Sequence, residues 1–386
     1  MLKVTVDVTP IDAKPSGVGL YVFNLIEALS RLESSESFEL GLAYQPGLKN
    51  WLKGNLDFPD NLKHYQNLYQ IPVSVRATNF FIDYLPRLFP SYIESVLGDT
   101  DIFHSTNYTV YPYQNIQKVI SIYDLSFIKY PEHVDSVVKQ YAKRLTKCLK
   151  WTDAVITISE SSKQDIINYL NFPAEKVFVT PLASRYNPEF LNKLNLNQEI
   201  QNYNFDFSKP YLLFVSTIEP RKNIRSIIQA FNWLKQNHKI DHQLVLIGRK
   251  GWKYAPIFES IQSSPWKNEI HHLNYLSDEL VALFYSKADV FVYPSHYEGF
   301  GLPVLEAMTL GAPVVASNTS SIPEVAGDAA ILIDPNDFMQ IAEALLMVIS
   351  DRKFRQDLIS KGKTRANFFS WENTAKKTLE AYRSIS

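Results

Sequence analysis

Short apolar runs alternate with amphipathic stretches along this chain. Val4, Val6 and Val8 alternate within residues 3–8 and predict an opening strand. Further strand-like runs occupy 37–44, 101–112, 118–127, 153–159 and 176–182. Between them, 20–32, 132–150 and the stretch after Ser159 carry helical spacing, with Ser159 placed as an N-cap. Residues 183–209 hold Pro, Asn and other polar residues with weak periodicity, which predicts a linker. A second series of apolar strands opens near 211, 243, 269, 288, 313 and 329. Ile224, Ile227, Ile228 and Phe231 line one face of a helix after the first of these, and 338–368 and 370–385 are helical. Repeated strand, loop and helix predict an α/β chain with parallel sheets in two Rossmann-like domains, at 1–183 and 210–368. The linker is 184–209 and a terminal helix is 369–386.

The densest local signal lies at 295–315, SHYEGFGLPVLEAMTLGAPVV, between the apolar strands 288–295 and 313–317. Pro303 suits a first helical position, which puts Leu302 at the N-cap with no side-chain acceptor for the first-turn amides. Gly299 and Gly301 allow close approach, and the helix dipole favours negative charge there. Glu298 and Glu306 flank this anion site. A carboxylate beside a phosphate is tolerable where it accepts hydrogen bonds from hydroxyls of the same ligand. A diphosphate with a hydroxyl-bearing ring at each end, a nucleotide sugar, meets that condition. The plain alternative, two solvated glutamates, leaves the glycines and the uncapped helix start unexplained.

The pattern Glu298-x7-Glu306 within YEGFGLPVLEAMTLGAPVVAS, continued by SSIPEVAGDAAILIDPND at 320–337, resembles the retaining family 4 glycosyltransferases of the GT-B fold. The resemblance covers most of the chain. It implies two Rossmann-like domains facing across a cleft, the second holding the donor and the first presenting the acceptor. It also implies that the terminal helix crosses back onto the first domain.

Other residues take roles from that resemblance or from their own setting. Arg221 and Lys222 open a helix, where cations oppose the dipole unless an anion is present; the family places such a pair on the donor diphosphate. Gly17 and Gly19 lie in the first strand–helix loop, where a tight turn is the plain reading and donor approach the family one. The 274–277 segment, with Tyr275 and Leu276, resembles the stretch that meets the nucleotide base, and Phe300 and Leu302 complete the donor loop. His104 and Asp124 stand near the carboxyl ends of their strands, where open α/β sheets bind ligands. Family members often carry His where this chain has Tyr123, so the role of that position is open between Asp124 and His104, with a core histidine as the plain reading of His104. His271 and His272 are adjacent, point to opposite faces of a strand and are structural.

Residues 73–96 are rich in aromatics. Phe80, Phe81, Tyr84, Leu85, Leu88 and Phe89 form one broad apolar face, with Arg76 and Arg87 nearby. That face either packs on a core or touches a membrane or a lipid-linked acceptor.

Composition narrows the classes. The chain has 386 residues, a formal net charge of −1 and 20% charged residues, so it carries no basic field of the kind nucleic acid needs. Cys148 alone excludes an internal disulfide framework. No signal-peptide core or membrane-length apolar run is present, and the expected site of action is cytoplasmic, at or near the inner face of the membrane. Asp99 and Asp101 form the one D-x-D near the expected cleft. With Arg221 and Lys222 available for the leaving diphosphate, no metal and no cofactor are expected.

The reading is a retaining, metal-independent hexosyltransferase with a nucleotide-sugar donor, GDP-mannose favoured, and a glycan or lipid-linked acceptor in cell-envelope polysaccharide synthesis. The alternatives are a nucleotide-sugar epimerase of the same fold and a non-catalytic sugar-nucleotide-binding protein. The first needs converging carboxylates and a His that the sequence does not offer. The second would have lost Lys222 or Glu306, and both are present. A dinucleotide oxidoreductase lacks its G-x-G-x-x-G after either opening strand.

Overall fold

The computed structural model describes residues 1–11, 17–86, 91–130, 136–193 and 205–386. Two compact units emerge: Met1–Leu182 together with Trp371–Ser386, and Ala183–Ser370.

The first unit is built on a seven-stranded sheet of order β3-β2-β1-β4-β5-β6-β7. Its strands are β1 Leu2–Asp7, β2 Phe38–Tyr44, β3 Asn67–Gln70, β4 Ile102–Ser105, β5 Gln117–Ser121, β6 Ala154–Thr157 and β7 Val177–Val179, all paired in parallel. The chain reverses its strand order between β1 and β4, and a crevice opens beyond the carboxyl ends of strands at such a point. β1 does not alternate cleanly. Val4, Thr5 and Val6 are all buried, and Thr5 reaches Thr100 through a 2.8 Å hydroxyl contact. A parallel sheet is covered on both faces, so the outward position must also be satisfied internally. Ser159 caps the helix Glu160–Leu170 by accepting from the Ser162 amide at 3.0 Å, the role its sequence position indicates.

The helix Trp371–Arg383 completes this first unit. Thr374 donates to the Pro181 carbonyl at 2.6 Å, and the Tyr382 hydroxyl meets His104.

The second unit carries a six-stranded parallel sheet, β10-β9-β8-β11-β12-β13. Its strands are β8 Tyr211–Val215, β9 Gln243–Ile247, β10 Ile270–Leu273, β11 Val290–Tyr293, β12 Val314–Ser317 and β13 Ala330–Ile333. Here the order reverses between β8 and β11. The loops leaving those two strands carry Arg221, Lys222 and Glu298. β8 and β9 are buried along their whole length, with Leu, Val, Phe and Ile on both faces, as a doubly covered sheet demands. Among the described residues no helix is long and apolar enough to cross a membrane.

Candidate active site

The loop after β8 turns through Pro220–Lys222 as a short 3-10 segment before the helix Ile224–His238 begins. Asn223 joins the two in the left-handed region at φ 56°, and its side-chain Nδ2 donates to the Pro335 carbonyl at 2.6 Å. Arg221 and Lys222 therefore precede the helix rather than forming its first turn. Carboxylates answer these cations instead. Lys222 Nζ donates to Glu298 Oε1 at 2.6 Å and to the Tyr293 hydroxyl at 3.0 Å. Arg221 bonds Glu219 Oε1 at 2.9 Å, the Tyr297 carbonyl at 2.5 Å and Glu298 Oε2 at 3.4 Å.

Burial pushes the Glu298 carboxyl up, but the Lys222 ammonium and the Arg221 guanidinium outweigh it and hold the group at about 2. Burial, with Arg221 alongside, lowers the Lys222 ammonium against the pull of Glu298. Tyr293, at the end of β11, was not singled out by the sequence pattern. Its hydroxyl donates to the Glu298 carboxylate at 3.0 Å and its ring lies 5.4 Å from the Lys222 ammonium.

The glycine loop is pinned from the segment after β12. Ser320 Oγ accepts from the Glu298 amide and Ser321 Oγ donates to its carbonyl, both at 2.9 Å. Gly301 is the N-cap of the helix Leu302–Leu310, at φ 107°, and no side chain caps that helix. Leu302 is thus the first helical residue and not the cap expected from Pro303, which stands second. A Cβ on Gly301 would be strained by the positive φ and would press the end of the Ile322 side chain at 2.7 Å, which must shift. Gly299 and Phe300 are buried, with the Phe300 ring 5.7 Å from that of Phe369.

Glu306 lies one turn into this helix and is buried. Arg185 grips it with a fork: Nε to Oε1 at 2.7 Å and Nη2 to Oε2 at 3.2 Å. The Tyr285 hydroxyl reaches Oε2 at 3.5 Å. Burial raises the Glu306 carboxyl and Arg185 opposes the rise. Arg185 and Tyr186 fall within the stretch that its composition marked as linker. They instead pack on the helix Asp278–Lys287, with Arg185 Nη1 on Asp278 Oδ1 at 2.9 Å and the Tyr186 hydroxyl on the Asp278 carbonyl at 3.2 Å. Ser277 caps that helix, and just before it Tyr275 is 83% exposed, with Leu276 partly covered.

In the first unit, Gly17 caps the helix Val18–Glu36 at φ 53° with open space about it, and Gly19 is buried in the first turn. His104 is not open to a ligand. It lies inside β4, fully buried, with Nδ1 2.6 Å from the Tyr382 hydroxyl and Nε2 2.8 Å from Ser121 Oγ. Burial alone drives it down to about 3, so it is a neutral core histidine. Tyr123 is likewise buried and donates to the Thr106 carbonyl at 2.5 Å. Asp124 is half-buried and accepts from the Ser126 amide at 3.0 Å and hydroxyl at 2.8 Å. Asp7, which the sequence pattern does not mark, ends β1; it accepts from the Thr9 amide at 2.9 Å, and burial raises it to about 6.

Asp99 and Asp101 hold Lys3, Asp99 through the ammonium and Asp101 through the backbone amide at 2.8 Å. Lys3 and Asp101 lie at the amino ends of β1 and β4, opposite the ligand-binding end. Among the described residues no cluster of three His, Cys, Asp or Glu side chains is placed to hold a metal.

Helix Val75–Tyr84 buries Thr78 and Ile82 and turns Phe80 and Tyr84 outward, 53% and 66% exposed. Leu85 and Tyr92 are also exposed, whereas Phe81 of the same face is half-buried. Arg87, Leu88 and Phe89 lie outside the described residues.

Comparison with known proteins fits this geometry. Residues 197–365 match the family model described as glycosyl transferases group 1. The chain is 31% identical over 397 residues to the O-antigen chain mannosyltransferase B of Escherichia coli, with 100% of each chain covered. The sucrose-phosphate synthase of Thermosynechococcus elongatus superposes with a TM-score of 0.74 at 20% identity, covering 100% of this chain and 99% of that one. Anabaena HepE, solved in complex with UDP and glucose, gives 0.70 at 16% identity with 100% of both chains covered. The chain belongs to the group 1 glycosyl transferases and is a glycosyltransferase of the GT-B fold.

Proposed function

We propose that this chain transfers mannose from GDP-mannose, with retention at the anomeric carbon, to a glycan or lipid-linked acceptor during cell-envelope polysaccharide synthesis. The observation that carries the reading is the buried Lys222–Glu298–Arg221 cluster beside the uncapped start of helix Leu302–Leu310. Fixed cations and an open helix start together suit a leaving diphosphate. The name of the E. coli relative supports mannose as the sugar and O-antigen-type polysaccharide as the setting.

In this reading Lys222 and Arg221 stabilise the leaving diphosphate, and Gly299 and Gly301 let it approach. Glu298 accepts from hydroxyls of the transferred sugar, and Glu306 accepts from the ribose. Tyr275 and Leu276 meet the base. The C1–O bond to the diphosphate breaks as the acceptor oxygen bonds to C1. The acceptor proton passes to the leaving phosphate oxygen, so no protein base is required. Asp124 and Asp7 are the carboxylates at the ligand-binding end of the first sheet that suit acceptor hydroxyls.

The exposed rings of Phe80, Tyr84 and Tyr92, with Arg76 nearby, suit peripheral contact with a membrane interface holding a lipid-linked acceptor. Vesicle co-sedimentation of wild type against Phe80→Ser/Tyr84→Ser tests that contact.

The deciding experiment offers GDP-mannose, UDP-glucose and UDP-galactose to the enzyme in excess EDTA with a mannoside acceptor, and reads the anomeric configuration of the product by NMR. Retained mannosyl product supports the reading. Inverted product, transfer from a UDP-sugar alone, or activity restored only by a divalent metal would overturn the corresponding part.

A further inference from the structure

Glu306 presents a contradiction between what it is proposed to do and where it stands. A ribose must reach its carboxylate, yet that side chain is 2% exposed. The cover is Arg185, itself 29% exposed at the side chain. Its Nε–H and Nη2–H engage both carboxylate oxygens, as the two O–H groups of a cis-diol would. Tyr285 closes the inner side at 3.5 Å. A ribose and this guanidinium compete for the same lone pairs.

The geometry also supplies somewhere for the guanidinium to go. Arg185 Nη1 already bonds Asp278, whose side chain is 52% exposed, and its guanidinium carbon lies 5.1 Å from the centre of the Tyr186 ring. Asp278 and the Tyr186 ring are the contacts left to the guanidinium when it leaves Glu306. A lysine or apolar residue here would not offer the forked pair of donors.

We propose that Arg185 sets the donor affinity of this enzyme by occupying the ribose-binding carboxylate Glu306 in the empty site and yielding it, towards Asp278, to the 2′,3′-diol of the incoming nucleotide. This rests on the reading that Glu306 meets the ribose. A protein whose competent state is partly populated shows its intrinsic affinity reduced by that fraction, so removing the occupant tightens binding.

The test is calorimetry with GDP and with UDP, whose ribose is common, run at both pH 7 and pH 8.5 because burial raises the Glu306 carboxyl and Arg185 opposes the rise. Arg185→Met keeps the stem against Tyr186 but loses the fork. It is expected to bind the better nucleotide roughly tenfold more tightly, corresponding to a competent fraction of about one in ten. The 2′-deoxy nucleotide, with half the diol, is expected to gain less. Arg185→Lys should fall between, and it answers the question should Arg185→Met fold poorly. Weaker or unchanged binding in both variants overturns the competition. Glu306→Gln in the Arg185→Met background separates the two layers, because no occupant is left to release. If it leaves nucleotide affinity at the Arg185→Met value, the ribose reading itself fails. If it weakens binding while the Arg185 variants do not tighten it, only the competition fails.

Discussion

Lys222 Nζ stands 2.6 Å from Glu298 Oε1, and both side chains are buried, 7% and 10% exposed. Neither charge is stable alone at that depth. Each offsets the charge of the other, with Tyr293 bonded to both. The second oxygen of Glu298 is shared with Arg221 at the longer distance of 3.4 Å.

Lys222→Ala will cost both rate and stability. Loss of one preorganised charge-stabilising donor lowers turnover roughly 10²–10³-fold. Removing one partner of a buried pair destabilises by about 3–5 kcal/mol. Adding Glu298→Gln should restore melting temperature without restoring turnover, since the orphaned carboxylate is then gone. Arg221→Ala, at a more exposed position, should slow transfer with a smaller loss of stability. Melting curves beside initial rates check both.

Acid should loosen the second unit through the same pair. Glu298 is held at about 2, below its ordinary 4.5, so the folded state binds fewer protons there than the unfolded chain. Its stabilisation is complete above pH 4.5 and is lost as the pH falls from there towards 2, amounting to roughly 3 kcal/mol. Glu298→Gln lacks this component. Denaturant melts at pH 6 and pH 3.5 should show a smaller acid loss in Glu298→Gln than in wild type.

His104→Phe should lower stability by roughly 2 kcal/mol or more, because the Tyr382 and Ser121 hydroxyls lose their buried partner. Turnover per folded molecule should be unchanged. A large turnover loss in a variant that melts like wild type would return His104 to the chemistry.

The two-domain α/β pattern was legible because parallel strands buried on both faces read as apolar runs and because Gly299, Gly301 and Pro303 punctuate one strand–helix turn sharply. The pairing of Lys222 with Glu298 was not. The two lie 76 positions apart, and only adjacent β8 and β11 bring their loops together. Arg185 was hidden for a different reason. Its neighbours have the composition of a connecting segment, and nothing local shows that an arginine there meets a carboxylate 121 positions on. His104 misled because a strand's last residues and the loop beyond look alike in sequence, whereas hydrogen bonds to Ser121 and Tyr382 place it within β4. Leu302 was misplaced by one residue because Pro303 stands second in the helix, where its missing N–H is again one the first turn leaves unbonded.

The division of labour between the two glutamates is most directly tested by Glu298→Gln, assayed for nucleoside diphosphate affinity by calorimetry and for turnover of the complete nucleotide sugar. Glu298 faces the sugar end of the proposed donor, and a neutral amide forms hydrogen bonds roughly half as strong as those of a carboxylate. Nucleoside diphosphate affinity near wild type with a marked fall in turnover is the predicted result. Loss of nucleoside diphosphate binding with turnover falling only in proportion would contradict it, and would place the ribose rather than the transferred sugar at Glu298.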